Sequence, residues 1–65
     1  MDRYYARSAS KRSDDWPFWF VADRNRGGLN VTPELMRELH SVEFDRAPFL
    51  PREAAETLAA QANGA

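Results

Sequence analysis

The chain has no cysteine, a single histidine and almost no net charge, with nine basic side chains against ten acidic ones. Each shortage excludes something. Without cysteine there is no disulfide framework and no thiolate metal site, so apolar packing must hold the fold, as suits a reducing cytoplasm. A formal charge of −1 argues against a general nucleic-acid coat protein, which carries a clear basic excess. Long apolar runs are also missing. The longest, Trp16 to Ala22, has seven residues including a proline, against about 20 needed to span a bilayer. No apolar stretch of signal-peptide length follows Met1-Asp2-Arg3-Tyr4-Tyr5, so a cytoplasmic protein is expected. The 65 residues leave room for one small domain (1–65, with 1–2 and 64–65 expected to fray), because chains of this size bury only about 60% of their unfolded surface.

What is present is aromatic. Trp16, Phe18, Trp19 and Phe20 fall within five positions, and each ring buries about 150–250 Å² when packed. Such a cluster supplies much of a small core and sets the chain apart from disordered sequences, which lack these residues. Charge, though balanced in total, is divided: residues 1–12 carry +3, residues 13–26 carry −1 and residues 27–65 carry −3. A basic beginning therefore precedes an acidic second half.

Arg3 to Arg7 reads as a short strand and Ser8 to Asp15 as a polar loop. Pro17 to Asp23 is the strongest strand, with Phe18, Phe20 and Ala22 on one face and Trp19 and Val21 on the other. Both faces are apolar, so it belongs in the middle of a sheet or beneath a second layer. Asn25-Arg26-Gly27-Gly28 is a turn, and Leu29 to Val31 returns antiparallel. Thr32-Pro33-Glu34 starts a helix, with the Thr32 hydroxyl expected to cap a free N–H and Pro33 at the first helical position. It should end near His40-Ser41. Val42, Phe44 and Phe49 are expected to anchor an ambiguous segment, 41–50. A second helix is predicted from Pro51 to about Ala62, with a stripe of Ala54, Ala55, Leu58, Ala59 and Ala62 and a stop at Asn63-Gly64. The sum is an α+β domain: a small antiparallel sheet of about three strands with two short helices packed on it.

Catalytic and metal chemistry find little support. His40 has only Glu38, Glu43 and Asp45 near it, and Glu38 points to another side of the helix. Asp14-Asp15 reads as a solvated turn, and Gly27-Gly28 lacks the rest of a phosphate loop. Ser8, Ser10 and Ser13 have no neighbouring base. No cofactor or metal is implied, and a non-enzymatic monomer is expected.

Three binding surfaces stand out. Glu34, Glu38, Glu43, Asp45, Glu53 and Glu56 would form an acidic patch if the two helix faces lie side by side, able to occupy a basic groove of a partner. Trp16 and Trp19 are the alternative contact, since tryptophans dominate interface energetics. Arg3, Arg7, Lys11 and Arg12, interleaved with Tyr4 and Tyr5, would suit direct nucleic-acid binding.

The short aromatic strands, the glycine turn and the closing helix Pro51-Arg52-Glu53-Ala54-Ala55-Glu56 through Leu58-Ala59-Ala60-Gln61-Ala62-Asn63 resemble small open reading frames of bacterial phages and mobile elements. The resemblance spans residues 17–63. Among such proteins are the anti-CRISPR inhibitors, small, cysteine-poor and non-enzymatic, some of which present a negative surface in place of DNA. The resemblance implies a protein-binding inhibitor acting in a bacterial cytoplasm on a CRISPR effector complex and blocking target DNA binding. No motif is shared across that group, so no residue role carries over, and mimicry here would rest on the local acidic patch. The alternatives are a nucleic-acid-binding or transcriptional accessory protein and a structural subunit of a larger assembly.

Overall fold

The computed structural model describes residues 2–10, 17–44 and 48–64. Strand β1 (Tyr4–Ser8) pairs antiparallel with β2 (Trp19–Asp23), which pairs antiparallel with the short β3 (Leu29–Asn30), giving the sheet order β1-β2-β3. Helices α1 (Thr32–His40) and α2 (Arg52–Gly64) follow. The expected α+β architecture is the observed one.

The β1–β2 register places Tyr4 opposite Asp23, Ala6 opposite Val21 and Ser8 opposite Trp19. Because side chains alternate along a strand, these residues share one face of the sheet. Both helices cover that face. Val21, fully buried, packs with Val31 and with Leu35 of α1 and Leu58, Ala59 and Ala62 of α2. The alanines on α2 let it lie close to β1 and β2.

The fused apolar faces of Pro17 to Asp23 predict a central strand, and β2 is central. Its far edge is completed by two separate pieces of chain, residues 29–32 and Leu50. The pairs Ala22–Asn30 and Asp23–Leu29 come from β3. At Val21 the carbonyl accepts from the Val31 N–H (2.9 Å), while the Val21 N–H donates to the Thr32 hydroxyl (2.9 Å). At Trp19 two backbone bonds of 2.9 and 2.8 Å tie Leu50 to the strand.

Several local expectations change. Thr32 does not cap α1: its buried hydroxyl is spent on Val21, and the Asn30 side chain instead accepts from the Thr32 N–H at 3.0 Å. The chain turns into the helix just where the ladder needs one more acceptor, and a side chain supplies it. Val42, Phe44 and Phe49 do not anchor 41–50; all three are exposed. Ser41 closes α1 in the left-handed region (φ 57°), Val42 to Phe44 beyond it are exposed, and Leu50 meets Trp19. Leu50 then faces the core and Phe49, its neighbour, faces away. Ala54 is exposed, leaving Ala55, Leu58, Ala59 and Ala62 as the buried stripe. Asn63-Gly64 does not stop α2 at Ala62; the helix runs through Gly64, and Asn63 bonds the backbone of Tyr4 in both directions, accepting from its N–H and donating to its carbonyl, each at 2.9 Å.

Candidate functional site

The acidic residues do not converge. Glu34 pairs with Arg26 at 2.8 Å and Glu56 with Arg52 at 2.8 Å. Glu53 faces the α1 side of α2 beside Met36, His40 and Gln61, whereas Glu56 faces the β1 side beside Tyr4, Tyr5 and Arg24. Glu38 lies on the rim of an open groove of about 490 Å³ with Arg3, Tyr4, Leu35, Leu39 and Asn63. Glu43 sits near Pro33, Arg37 and Phe44. Asp45 falls outside the described residues, as do Lys11, Arg12, Asp14, Asp15 and Trp16.

His40 is likewise occupied. Its Nε2–H donates to the Gln61 carboxamide oxygen at 2.8 Å, linking α1 to α2. Among the described residues, no group of three His, Asp or Glu gathers that could hold a metal, and no helix is long and apolar enough to cross a membrane.

Trp19 points to the helix side, half-buried, with the Arg52 guanidinium 4.9 Å from its ring centre. Of the basic set, Arg3 is committed: it grips Asp23 through two hydrogen bonds from one guanidinium edge and lies over the Tyr4 ring. Its hydrogen bonds, with that from the Asn25 N–H, hold the Asp23 carboxyl below the usual carboxylate range, against the opposing effect of burial.

Among the described residues Arg7 has no such partner, and its surroundings define the most distinctive surface described. Tyr5, Arg7, Phe20 and Ala22 share the face opposite the helices; Ala22 is fully buried there, Tyr5 and Phe20 are half-buried and Arg7 is exposed. Phe18 and Phe49 extend it at one end as an edge-to-face pair, ring centres 5.9 Å apart, each nearly half exposed. With Ala9 and Ser10 they line a shallow depression of about 360 Å³. At the other end the Tyr5 ring lies under the Arg24 guanidinium, 4.5 Å from its centre. Tyr5 and Arg7 converge over Gly28, where a Cβ would come within 3.2 Å of the Tyr5 hydroxyl and 3.1 Å of Arg7 Nη1.

Phe18, Phe49 and Arg24 were not among the site residues expected from sequence. The signal was available for Phe18: a strand apolar on both faces, in a chain with helices enough for one layer, must leave one face open. Choosing which face required knowing that Val21 and Leu50 face the helices. No family model, no curated protein and no solved structure matches the chain. The side chains themselves carry the functional reading.

Proposed function

We propose that this protein is a non-enzymatic binding protein, an inhibitor or adaptor of the anti-CRISPR kind, and that it engages its target, a nucleic-acid-handling effector, through the open face of its sheet. The observation that carries this is the Phe18–Phe49 pair, exposed on a face without helices. Contiguous exposed apolar surface marks interaction sites, and a small number of aromatic anchors supplies most interface energy. The acidic-patch route loses support from the pairing of Glu34 and Glu56 with arginines and from the divergence of Glu53 and Glu56.

The test is affinity capture from host lysate with the native chain and a Phe18→Ser, Phe49→Ser double variant. A partner held by the native chain and lost by the variant is the expected result. Retention by that variant, with loss on Glu34→Lys, Glu38→Lys and Glu53→Lys substitution, would move the interface to the helix layer. A second reading, direct contact with nucleic acid, is favoured by one observation: Arg7, Arg24 and Tyr5 meet on this same face.

A further inference from the structure

We infer that Asn63-Gly64 is a site of self-modification: the Asn63 carboxamide loses ammonia by cyclising onto the chain, and the change unseals the edge of β1. The pair reads as a helix stop in the sequence, yet α2 runs through it.

The chemistry needs an asparagine followed by a residue without a side chain. The Gly64 backbone nitrogen gives up its proton to solvent and attacks Asn63 Cγ. A C–N bond forms, the carboxamide nitrogen takes up a proton and leaves as ammonia, and a five-membered succinimide remains. Water then opens the ring at either carbonyl, giving aspartate or isoaspartate at position 63. In sum water is taken up and ammonia released, with nothing oxidised or reduced. Asn25 and Asn30 differ, being followed by Arg26 and Val31, whose side chains crowd the same attack. The Asn30 carboxamide oxygen is also engaged by the Thr32 N–H.

The fold supplies a gate. Tyr4 holds both ends of the Asn63 carboxamide: Oδ1 accepts from its N–H and Nδ2 donates to its carbonyl, each at 2.9 Å. Cyclisation requires the side chain to leave Tyr4 and ψ of Asn63 to leave the helical value of about −42°. Asn63 and Gly64 are both exposed and lie in the last turn of α2, where local opening costs least. The Tyr4 bonds therefore keep the reacting carbon from Gly64.

The same carboxamide seals a strand edge. Val21 directs its N–H to Thr32 and its carbonyl to Val31, so it makes no backbone bond to Ala6 opposite. Ala6, like Tyr4, then turns its N–H and C=O to the outer edge of β1. Aspartate keeps acceptors for the Tyr4 N–H but has no donor for its carbonyl. Isoaspartate in addition lengthens the backbone by one atom and displaces the carboxylate. Either product opens the Tyr4 rung next to that of Ala6, and open edges template strand pairing. With ammonia lost, the change runs one way.

Incubation of the full chain at mildly alkaline pH, folded and in guanidinium chloride, tests this by peptide mapping that separates aspartate from isoaspartate. Conversion at Asn63 to both products is expected in each state, about fivefold or more slower in the folded chain. Ala60→Gly weakens the last turn, and should speed the folded chain about two- to fivefold while leaving the unfolded one unchanged. Gly64→Ala, whose methyl would meet nothing within 4 Å, should slow the reaction in both states. Circular dichroism checks that both variants fold. In the converted chain the Tyr4 amide should exchange hydrogen faster. No conversion in the unfolded chain would overturn the inference, as would equal rates in the two states, indifference to Gly64→Ala, or faster loss at Asn25 or Asn30. Unchanged exchange at Tyr4 after conversion would overturn the unsealing of β1.

Discussion

Arg3 closes on Asp23 through one edge of its guanidinium: Nε donates to Oδ1 at 3.0 Å and Nη2 to Oδ2 at 2.9 Å. Asp23 is 1% exposed and Arg3 half exposed. The buried carboxylate also accepts from the Asn25 N–H at 2.9 Å, so one side chain holds the segment before β1 and the turn after β2. Its carboxyl titrates below the reference value of 3.8, which means the unfolded chain binds the proton more readily than the folded one. Stability from this group is complete above pH of about 5 and is lost as pH falls through 3.8 towards the folded value. Thermal melts from pH 7 to 3 should show the Tm fall steepening below about pH 4.5. Asp23→Asn should lower Tm at pH 7 and flatten the acid limb; an unchanged limb would remove Asp23 as its cause.

Thr32 gives a sharper stability test. Thr32→Val keeps the shape and strands the buried Val21 N–H without an acceptor, which costs about 1–3 kcal/mol. Thr32→Ser retains the acceptor and should recover most of the loss. Urea unfolding of the two variants, at equal m-values, separates the hydrogen bond from packing.

Gly27 and Gly28 both have positive φ, 68° and 82°, so alanine at either costs about 1–2 kcal/mol. Only at Gly28 would the new methyl meet Arg7 and Tyr5. Gly28→Ala should shift the Tyr5 ring resonances. Gly27→Ala should not, although its Tm falls similarly.

Asn63 stands in for a neighbouring strand, its carboxamide reading the N–H and C=O of Tyr4 as a backbone would. Asn63→Ala should cost about 1 kcal/mol, since both bonds are exposed, and accelerate hydrogen exchange of the Tyr4 amide. Asn63→Asp keeps the acceptor and loses the donor, and should fall between.

Phe18 and Phe49 should matter little to stability. Their removal forfeits an edge-to-face pair worth about 0.5–1.5 kcal/mol, against about 2–5 kcal/mol for Leu58→Ala in the core. Denaturant titration of both variants would show that order, and a larger loss for the phenylalanines would make them core residues.

The fold was legible where periodicity and turn chemistry agreed. Gly27-Gly28 marked the turn, Pro33 the first turn of α1, and the two-faced apolar run from Phe18 to Ala22 the central strand. What escaped was the work of polar side chains at long range. Nothing local says that Thr32 will bond Val21 rather than its own helix, or that Asn63 will reach Tyr4, because each partner is fixed only by the packed sheet. The acidic set illustrates the same limit. Spacing along α2 says that Glu53 and Glu56 are three apart, but which groove each one faces depends on how the helix rolls onto β1.

The tie between Tyr4 and Asn63 spans 59 positions, and it has a consequence for how the protein is made. The helix that covers β1 is synthesised after β2, β3 and α1, so β1 leaves the ribosome with its apolar side unprotected. At about 5–20 residues per second the wait lasts roughly 2–10 s. Folding must therefore be completed after α2 clears the exit tunnel. A nascent chain stalled before Arg52 should be cut by protease as readily as an unfolded one.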